Sequence, residues 1–275
     1  LHLLRSLHDN QIVHKFDDIA DVDIGIVTGA NKYFVVDKDT IDEFHLHDIA
    51  IPMLARSNFM RGLVYTLDDH QWNSDNDYPV HFLNFPEAEK KDLPENYQRY
   101  IKIGETQDIH IRYKTRIRDP WYCVPYLWVS DISMLKRAHN FPRLVLNEAK
   151  AFSTDTAYRI VMRNDYVGKE KKFVFSFLNS LTLLTTELEG RHYGGGVLEL
   201  VPSEIENLLV VMGNPSHEQF QKLDKMIRNE AELDEILDFT DPILIGSKSP
   251  LGLSNSEIKL LRSARNRLKN RRWRK

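Results

Sequence analysis

The stretch "KFVFSFLNSLTLLTTELEGRHYGGGVLELVPSEIENL", residues 172–208, joins the most apolar part of the chain to three consecutive glycines. Its leucines recur at three- and four-residue spacing from Leu178 to Leu188, which predicts one helix that starts at residue 172 and stops at Gly190. A capping box of Ser203 with Glu206 predicts the start of a further helix. The glycines 194–196 between them allow either a tight turn between packed elements or a close approach of the backbone to a ligand.

On the N-terminal side of this stretch the patterns are mixed. The segment "DVDIGIVTGANKYFVV" (21–36) predicts a hairpin, with "TGAN" as its turn, and "PENYQRYIKIGE" (94–105) predicts a helix. The segments 112–128 and 141–152 are short, rich in β-formers and interrupted by proline, which is typical of an irregular mixed sheet. Residues 68–79, "DDHQWNSDNDYP", indicate an exposed loop.

On the C-terminal side the pattern is entirely helical. Two more capping boxes, Ser216 with Gln219 and Ser254 with Glu257, predict two helix starts. The sequence therefore predicts an α+β protein: an irregular mixed β-sheet body with packed helices in residues 1–207, followed by a helical C-terminal region in residues 208–275.

Composition limits the classes of function. The 275 residues are 42% hydrophobic and 28% charged with a formal net charge of -3, which excludes a chain that is basic throughout but permits a local basic groove. Cys123 is the only cysteine, so we expect no disulfide framework, no cysteine-based zinc site and a reducing, cytoplasmic setting. The most apolar run is too short and too polar to span a bilayer, so no membrane contact is expected. The sequence has no His-Glu-x-x-His and no phosphate-binding glycine loop.

Two clusters of cations suggest an anionic partner. In "RYKTRIRDPWY" four cations alternate, and a strand would place them all on one face beside Trp121, where phosphates would relieve their repulsion: they are Arg112, Lys114, Arg116 and Arg118. The final segment "RSARNRLKNRRWRK" predicts a helix with a cationic stripe on one face, which indicates either a phosphate-binding surface or a solvated one: the stripe consists of Arg262, Arg265, Lys269 and Arg272.

A third pattern is an alternative catalytic signal. "LVLNEAK" ends a predicted strand with Glu148-x-Lys150, which resembles half of the PD-(D/E)xK nuclease signature, in which two carboxylates bind a divalent metal. Asp131 or Asp119 would have to supply the second carboxylate. The tripeptide is common, so this interpretation ranks last, and no metal site is predicted.

Four blocks in order resemble the C-terminal half of bacterial type II N6-adenine DNA methyltransferases, in which a catalytic domain precedes a target recognition domain. The blocks are "ADVDIGIVTGANKYFVV" (20–36), "WYCVP" (121–125), "PRLVLNEAKAF" (142–152) and "FLNSLTLLTTELEGRHYGGGVLELVPSEIENL" (177–208). The resemblance covers residues 15–270, and it implies a domain that binds double-stranded DNA and reads a specific site.

The chain departs from that family in its catalytic motifs. The alternating-glycine motif for S-adenosylmethionine is absent, and "GNPS" (213–216) has only part of the Asn-Pro-Pro-Tyr/Phe motif that holds the target adenine. Because the chain also begins with Leu1, we expect a recognition domain that is inactive alone, without a cofactor or catalytic residue of its own. The resemblance implies that the catalytic domain, with S-adenosylmethionine, belongs to the same polypeptide.

The resemblance and the residue types together select the candidate DNA contacts. Asparagine, lysine and arginine side chains can make bidentate contacts to base edges, while cations and bare backbone N–H groups bind phosphates. The candidates are Asn31, Lys32, Arg112, Lys114, Arg116, Arg118, Trp121, Arg143, Asn147, Lys150, Arg191, His192, Tyr193, Gly194, Gly195, Gly196, Arg265 and Lys269. One further alternative is the specificity subunit of a multi-subunit restriction system, although such subunits usually carry two similar modules and no repeat is visible here.

Overall fold

The computed structural model describes residues 2–54 and 59–273, and the predicted α+β class is confirmed. The helices of this part of the chain are α1 (His2–His8), α2 (Phe16–Ile19), α3 (Asn31–Phe34), α4 (Lys38–Phe44), α5 (Leu67–Asp75), α6 (Glu95–Thr106), α7 (Tyr113–Arg116), α8 (Glu170–Ser176), α9 (Ser180–Glu189), α10 (Pro202–Ile205), α11 (His217–Arg228), α12 (Leu233–Leu244) and α13 (Asn255–Trp273). The strands are β1 (Val13–Lys15), β2 (Ala20–Ile24), β3 (Val35–Val36), β4 (Ala50–Leu54), β5 (Val64–Tyr65), β6 (His81–Leu83), β7 (Ile132–Leu135), β8 (Arg137–Ala138), β9 (Leu144–Asn147), β10 (Phe152–Ser153), β11 (Ala157–Met162), β12 (Arg191–Tyr193), β13 (Val197–Glu199) and β14 (Leu209–Val211).

The largest sheet has the order β2-β11-β7-β9-β5, and all its pairs are antiparallel except β9 with β5. Along β11 the side chains alternate between the two faces of the sheet. Tyr158 and Ile160 belong to a large buried cluster that also contains Phe173, Leu181 and Leu223, which we call the first core. The first core therefore lies between this sheet and the C-terminal helices.

A second sheet, of order β10-β4-β6-β3, carries a separate buried cluster. This second core is rich in aromatic side chains, including Tyr33, Phe34, Phe82 and Tyr100, and it is covered by α4 and α6. The two remaining sheets are the pair β1-β14 and the triplet β12-β13-β8.

The predicted boundary at residue 207 runs through the first core. Strand β1 pairs with β14, with Val13 opposite Val211, so the start of the chain is joined to residues beyond the boundary. Phe173 from α8 and Leu223 from α11 are buried in the same cluster. Packing is therefore continuous across residue 207. The predicted helical region, residues 208–275, contains α11 to α13 but begins with strand β14.

The helix predicted from residue 172 to Gly190 is two helices in the structure, α8 and α9. Asn179 separates them because its side-chain oxygen accepts hydrogen bonds from the backbone N–H groups of Leu181 and Thr182 at 2.9 and 3.0 Å, which starts a new helix. The helix start predicted at Ser203 is also misplaced, because the residue that precedes the helix is Val201. Helix α10 begins at Pro202, and Glu204 accepts from the backbone of Val201.

Two other predictions near the N-terminus are wrong. The hairpin predicted at residues 21–36 does not form, because β2 pairs with β11 and β3 pairs with β6. Between β2 and β3 the chain forms the short helix α3, which buries Tyr33 and Phe34 in the second core. Most of the loop predicted at residues 68–79 is helix α5, which Thr66 caps with Asp69.

Helix α5 carries a buried histidine that makes stability depend on pH. Burial, together with the smaller effect of His81, whose ring centroid lies 4.9 Å away, lowers the pKa of His70 from 6.5 to about 4. Below pH 6.5 the unfolded chain therefore binds a proton that the folded chain does not bind until about pH 4. We expect the free energy of unfolding to fall by up to about 3 kcal/mol between these pH values through His70 alone.

Urea unfolding at pH 7 and pH 4.5 tests this expectation. His70→Asn should reduce the loss of stability between the two pH values, and the exposed His2→Asn should leave it as in the wild type. An equal loss in His70→Asn and the wild type would contradict the role of His70.

Candidate functional site

The cationic segment at residues 112–118 is not a strand. Residues 113–116 form helix α7, and the Thr115 hydroxyl is buried, donating to the carbonyl oxygens of Ile109 and Arg112. These local hydrogen bonds curl the chain, so the period of two that would align the four cations is lost. The prediction that they share one strand face is therefore wrong.

The same segment nevertheless forms one wall of a cleft of about 560 Å³. The opposite wall is the turn that precedes α3 together with the first three residues of α3, and Asp155 from the connection between β10 and β11 completes the lining. The residues that line it are Val27, Gly29, Ala30, Asn31, Lys32, Tyr33, Gln107, Ile109, Arg112, Lys114 and Asp155. The cleft thus brings together four predicted contacts, Asn31, Lys32, Arg112 and Lys114, and the three cations among them are exposed.

Arg118 holds the two walls together. Its guanidinium donates to the carbonyl oxygens of Val27 and Thr28 at 2.7 and 2.8 Å. Gly29 has a φ of +79°, and a Cβ there would lie 2.6 Å from the Cβ of Lys114. Arg118 is therefore a structural tie, and Gly29 permits both the turn and the close approach of the walls.

The amide of Asn31 is oriented by two hydrogen bonds at the cleft. The Thr28 hydroxyl donates to Asn31 Oδ1 at 2.5 Å, and Asn31 Nδ2 donates to Asp155 Oδ1 at 3.2 Å. Because a carboxylate only accepts hydrogen bonds, the amide nitrogen must face Asp155. One N–H and one oxygen lone pair of Asn31 are left for a ligand.

Exposed apolar side chains accompany the cations of this segment. Tyr113 is 65% exposed, and the cationic groups of Lys114 and Arg116 each lie 5.6 Å from its ring centroid. Ile111 and Ile117 are also exposed. An aromatic face between cations is the combination that nucleic-acid surfaces use for stacking and phosphate contact.

Trp121, predicted to contact DNA, packs behind the cleft. Its ring centroid lies 5.4 Å from that of Tyr33 and 6.4 Å from that of Phe34, at the edge of the second core. A Cβ at Gly104 would lie 2.4 Å from the Trp121 ring, so the indole fills this space closely. It supports the wall that Tyr33 forms.

Two predicted contacts on the central sheet are structural. Asn147 is 2% exposed, and its side chain donates to the carbonyls of Ser130 and Ala151 and accepts from the Ala151 N–H. Arg143 donates to the Met60 carbonyl at 2.5 Å, and burial lowers its pKa. Both side chains are held by hydrogen bonds within the protein, so we remove both from the candidate interface.

The residues of the nuclease signature bind different partners. Glu148 forms an ion pair with Lys171 at 3.2 Å, while Lys150 pairs with Asp131 at 2.5 Å. Within residues 2–54 and 59–273, no group of three or more histidine, cysteine or acidic side chains could hold a metal ion. Lys150 is exposed and stays a prediction as a DNA contact.

The glycine run forms the loop of a β-hairpin. Tyr193 lies opposite Val197 in the antiparallel pair β12-β13, so residues 194–196 connect the two strands. This is the tight turn that the sequence allowed, and Gly195 and Gly196 have φ values of +77° and +76°. Arg191 is exposed and pairs with Glu204, and Gly194, His192 and Tyr193 are exposed as well. As DNA contacts these residues stay predictions, except for the buried Gly196.

The three glycines should differ in their tolerance of alanine. At Gly196 an added Cβ would lie 2.8 Å from the Trp273 ring and the φ is positive, whereas Gly195 has the positive φ in open space and Gly194 has neither constraint. We expect Gly196→Ala to destabilise the protein by about 2 kcal/mol, Gly195→Ala by about 1 kcal/mol and Gly194→Ala hardly at all. Thermal unfolding of the three variants checks the order, and equal effects would contradict it.

The four cations of the predicted stripe lie on the face of α13 that is turned toward the body. The interpretation of this stripe as an exposed phosphate-binding surface is therefore wrong. Arg265 is 3% exposed, and Arg262 pairs with Asp238 and Asp241. Arg272 is fully buried against Glu187. Lys269 is half-buried, and burial lowers its pKa. Residues 274 and 275 lie outside the described residues.

A second cleft of about 560 Å³ lies between α12 and α13. Two carboxylates, Asp234 and Asp238, line it beside Lys259, Arg262 and Arg267, whereas the first cleft has one carboxylate, and Arg262 is already paired with Asp238 and Asp241. Carboxylates repel phosphate, so this cleft suits the candidate partner less well than the first.

The partial adenine-binding motif at residues 213–216 connects β14 to α11. The Gly213 N–H donates to Ser176 Oγ at 2.9 Å, and Ser216 caps α11 by accepting from the Gln219 N–H at 3.2 Å. This segment therefore shapes a helix start and does not fit the adenine-holding motif of a catalytic domain.

Sequence reasoning missed three residues of the candidate site. Gln107 and Asp155 line the cleft from segments without a motif, while Tyr113 stands beside it within the cationic segment and was not itself selected. Their relation to Asn31 depends on contacts between segments about 80 to 125 residues apart along the chain. In the described residues, no helix has the length and apolar character needed to cross a membrane.

Comparison with known proteins gives matches of three kinds, to a family model, to a curated relative and to a solved structure. The family model described as "Type II methyltransferase M.Eco57I, C-terminal domain" matches residues 1–245. The type II methyltransferase M.AccI of Acinetobacter calcoaceticus is 25% identical over 246 residues, which cover 83% of this chain and 44% of that protein. The crystal structure of the type IIG restriction endonuclease BpuSI superposes with a TM-score of 0.59 at 14% identity, over 99% of this chain and 33% of that chain. This last likeness shows the fold alone.

Proposed function

The chain belongs to the family of C-terminal domains of type II methyltransferases typified by M.Eco57I, and from this premise we propose that it is the DNA-recognition domain of a site-specific DNA adenine-N6 methyltransferase. The observation that carries the proposal is the cleft that gathers Asn31, Lys32, Arg112 and Lys114 from two distant segments. The chain spans 44% of the length of M.AccI, so the activity of the whole protein is part of the proposal.

The cations of the cleft supply the binding that does not depend on base sequence. Lys32, Arg112 and Lys114 are exposed and line one concave surface, where they can neutralise phosphates and release condensed counterions. Such contacts position a duplex without reading it. Arg116 and the exposed Tyr113 extend this surface beyond the cleft.

Base reading requires fixed donors and acceptors, and Asn31 offers both. Its oriented amide retains one N–H and one oxygen lone pair, the pair of groups that adenine N7 and N6 require in the major groove. Gln107 lines the same cleft and can make contacts of the same type. The proposed base contacts therefore come from Asn31 and Gln107, and the Asn31 amide is held in one orientation.

We assign S-adenosylmethionine binding and methyl transfer to a catalytic domain of the same polypeptide. The segment that most resembles an adenine-holding motif here caps a helix, as its hydrogen bonds indicate. In the proposed division of work, this chain holds the duplex at its site while the target adenine is turned out of the stack into the catalytic domain.

The test is the salt dependence of duplex binding by the full-length protein that contains this chain. Anisotropy titrations at several salt concentrations would compare the wild type with a variant in which Lys32, Arg112 and Lys114 are glutamine. The control is Lys225→Gln, because Lys225 is an exposed lysine on α11 that does not line the cleft. A triple variant with the wild-type salt slope would contradict the proposed interface.

A further inference from the structure

We propose that Asp155 is a specificity-determining residue of the cleft, and that its carboxylate accepts a hydrogen bond from the exocyclic amino group of a base. The inference rests on the proposed function and adds to it the chemistry of the base that is read. Adenine N6 and cytosine N4 are the amino groups that the major groove presents.

The position of Asp155 is fixed by its backbone. Its N–H donates to the Ile26 carbonyl at 3.1 Å, and Ile26 forms a parallel bridge with Thr154. Gly25 packs so closely against this connection that a Cβ there would lie 2.0 Å from the Thr154 carbonyl oxygen. The segment that leads into α3 and Asn31 is therefore fixed against the connection that carries Asp155.

The charge of Asp155 is opposite to that of its surroundings. It is the one acidic side chain among the residues that line the cleft, which it shares with the cations Lys32, Arg112 and Lys114. Within the part of the chain that the structure describes, Asp155 forms no ion pair, and its partner is the Asn31 amide. A carboxylate at this place repels phosphates, so it lowers affinity for DNA in general unless a donor faces it.

The major groove offers such a donor on only some bases. Amino groups can donate to a carboxylate, whereas guanine O6 and N7 and thymine O4 are acceptors that a carboxylate repels. Asp155 therefore favours an amino-bearing base by attraction and disfavours the others by repulsion. Its second role is to orient Asn31, because a flipped amide would place an oxygen against the carboxylate.

The experiment uses the full-length protein and two readouts. The first is affinity for a random-sequence duplex, and the second is the motif enriched by binding from a library of randomised duplexes. Asp155→Asn removes the charge with little change of shape, and Asp165→Asn, at an exposed position in the connection between β11 and α8, is the control. Asn31→Ala tests separately what the Asn31 amide contributes to the preference.

We expect Asp155→Asn to bind random duplexes about 3–10-fold more tightly, because one repulsive charge is gone. Its enriched motif should lose preference at one position by about 10-fold or more, and the base lost there, adenine or cytosine, identifies the amino group. Asn31→Ala should also lose preference but should not gain affinity for random duplexes. Asp165→Asn should match the wild type in both readouts.

The outcomes separate the two proposals. A wild-type protein that enriches a motif, together with an Asp155→Asn variant that keeps every preference of that motif, overturns the role of Asp155 and leaves the proposed function standing. A wild-type protein that binds no duplex and enriches no motif overturns both. A purely structural Asp155 would weaken binding to random and selected duplexes together, which also contradicts the inference.

Discussion

Replacement of Lys32, Arg112 and Lys114 together by glutamine is expected to weaken binding to any duplex by about 10²–10³-fold at 0.1 M salt. Each phosphate contact contributes about 0.9 to the slope of log affinity against log salt concentration, so the loss of three should flatten the slope by about 2.7. The reason is counterion release: a cation that no longer neutralises a phosphate no longer displaces a condensed ion. All three side chains line the cleft and are exposed, so glutamine should not disturb the fold.

Two comparisons make the measurement specific to the cleft. Lys225→Gln removes an exposed cation elsewhere and should leave the slope as in the wild type within error. The triple variant should lose affinity for random and selected duplexes by similar factors, because phosphate contacts carry no sequence information. A loss confined to one selected sequence would show that these side chains read bases instead.

Glu187→Ala is expected to destabilise the protein by about 3–5 kcal/mol, the largest single effect on stability that we predict. Arg272 and Glu187 are both fully buried, and the guanidinium donates to the carboxylate through Nε at 3.1 Å and through a second nitrogen at 3.0 Å. The same guanidinium donates to the carbonyls of His139 and Gly196. Removing the carboxylate leaves a buried cation without its counter-charge.

Lys38→Ala is the matched control for this prediction. Lys38 pairs with Asp75 at 3.3 Å, but about half of each side chain is exposed, so its loss should cost about 1 kcal/mol or less. Urea unfolding gives both values. If Glu187→Ala cost as little as Lys38→Ala, the buried pair would not secure α13 to α9.

Several elements could be predicted from the sequence because the interactions that define them are local. Ser216 and Ser254 cap α11 and α13 through partners only three residues away. Helix α6 and strand β9 likewise follow from spacing within one segment, and both predictions are confirmed. Membership of the methyltransferase C-terminal family also followed from the sequence, because the four blocks keep their order along the chain.

The wrong predictions share one physical cause, which is that packing against the rest of the protein, and not local spacing, decides the structure of these segments. The segment at residues 21–36 has the pattern of a hairpin, but β2 gains five paired residues with β11, and the second core takes up Tyr33 and Phe34. The cations of residues 112–118 alternate as in a strand, yet buried hydrogen bonds of Thr115 curl them into a helical turn. Over four to seven residues, periods of 2 and 3.6 are too similar for spacing to choose between them.

The sequence by itself determined the fold class, the three long helices of the C-terminal region, the family and the residue types that the proposed DNA contact requires. Only the tertiary structure decided which of those residues meet one another and which are buried. Arg272 and Lys114 carry the same charge, but packing of α13 on α9 buries the first against Glu187, while the second lines an open cleft. Charge is a property of one residue, whereas exposure and proximity depend on how distant segments pack, and the cleft joins segments about 80 residues apart.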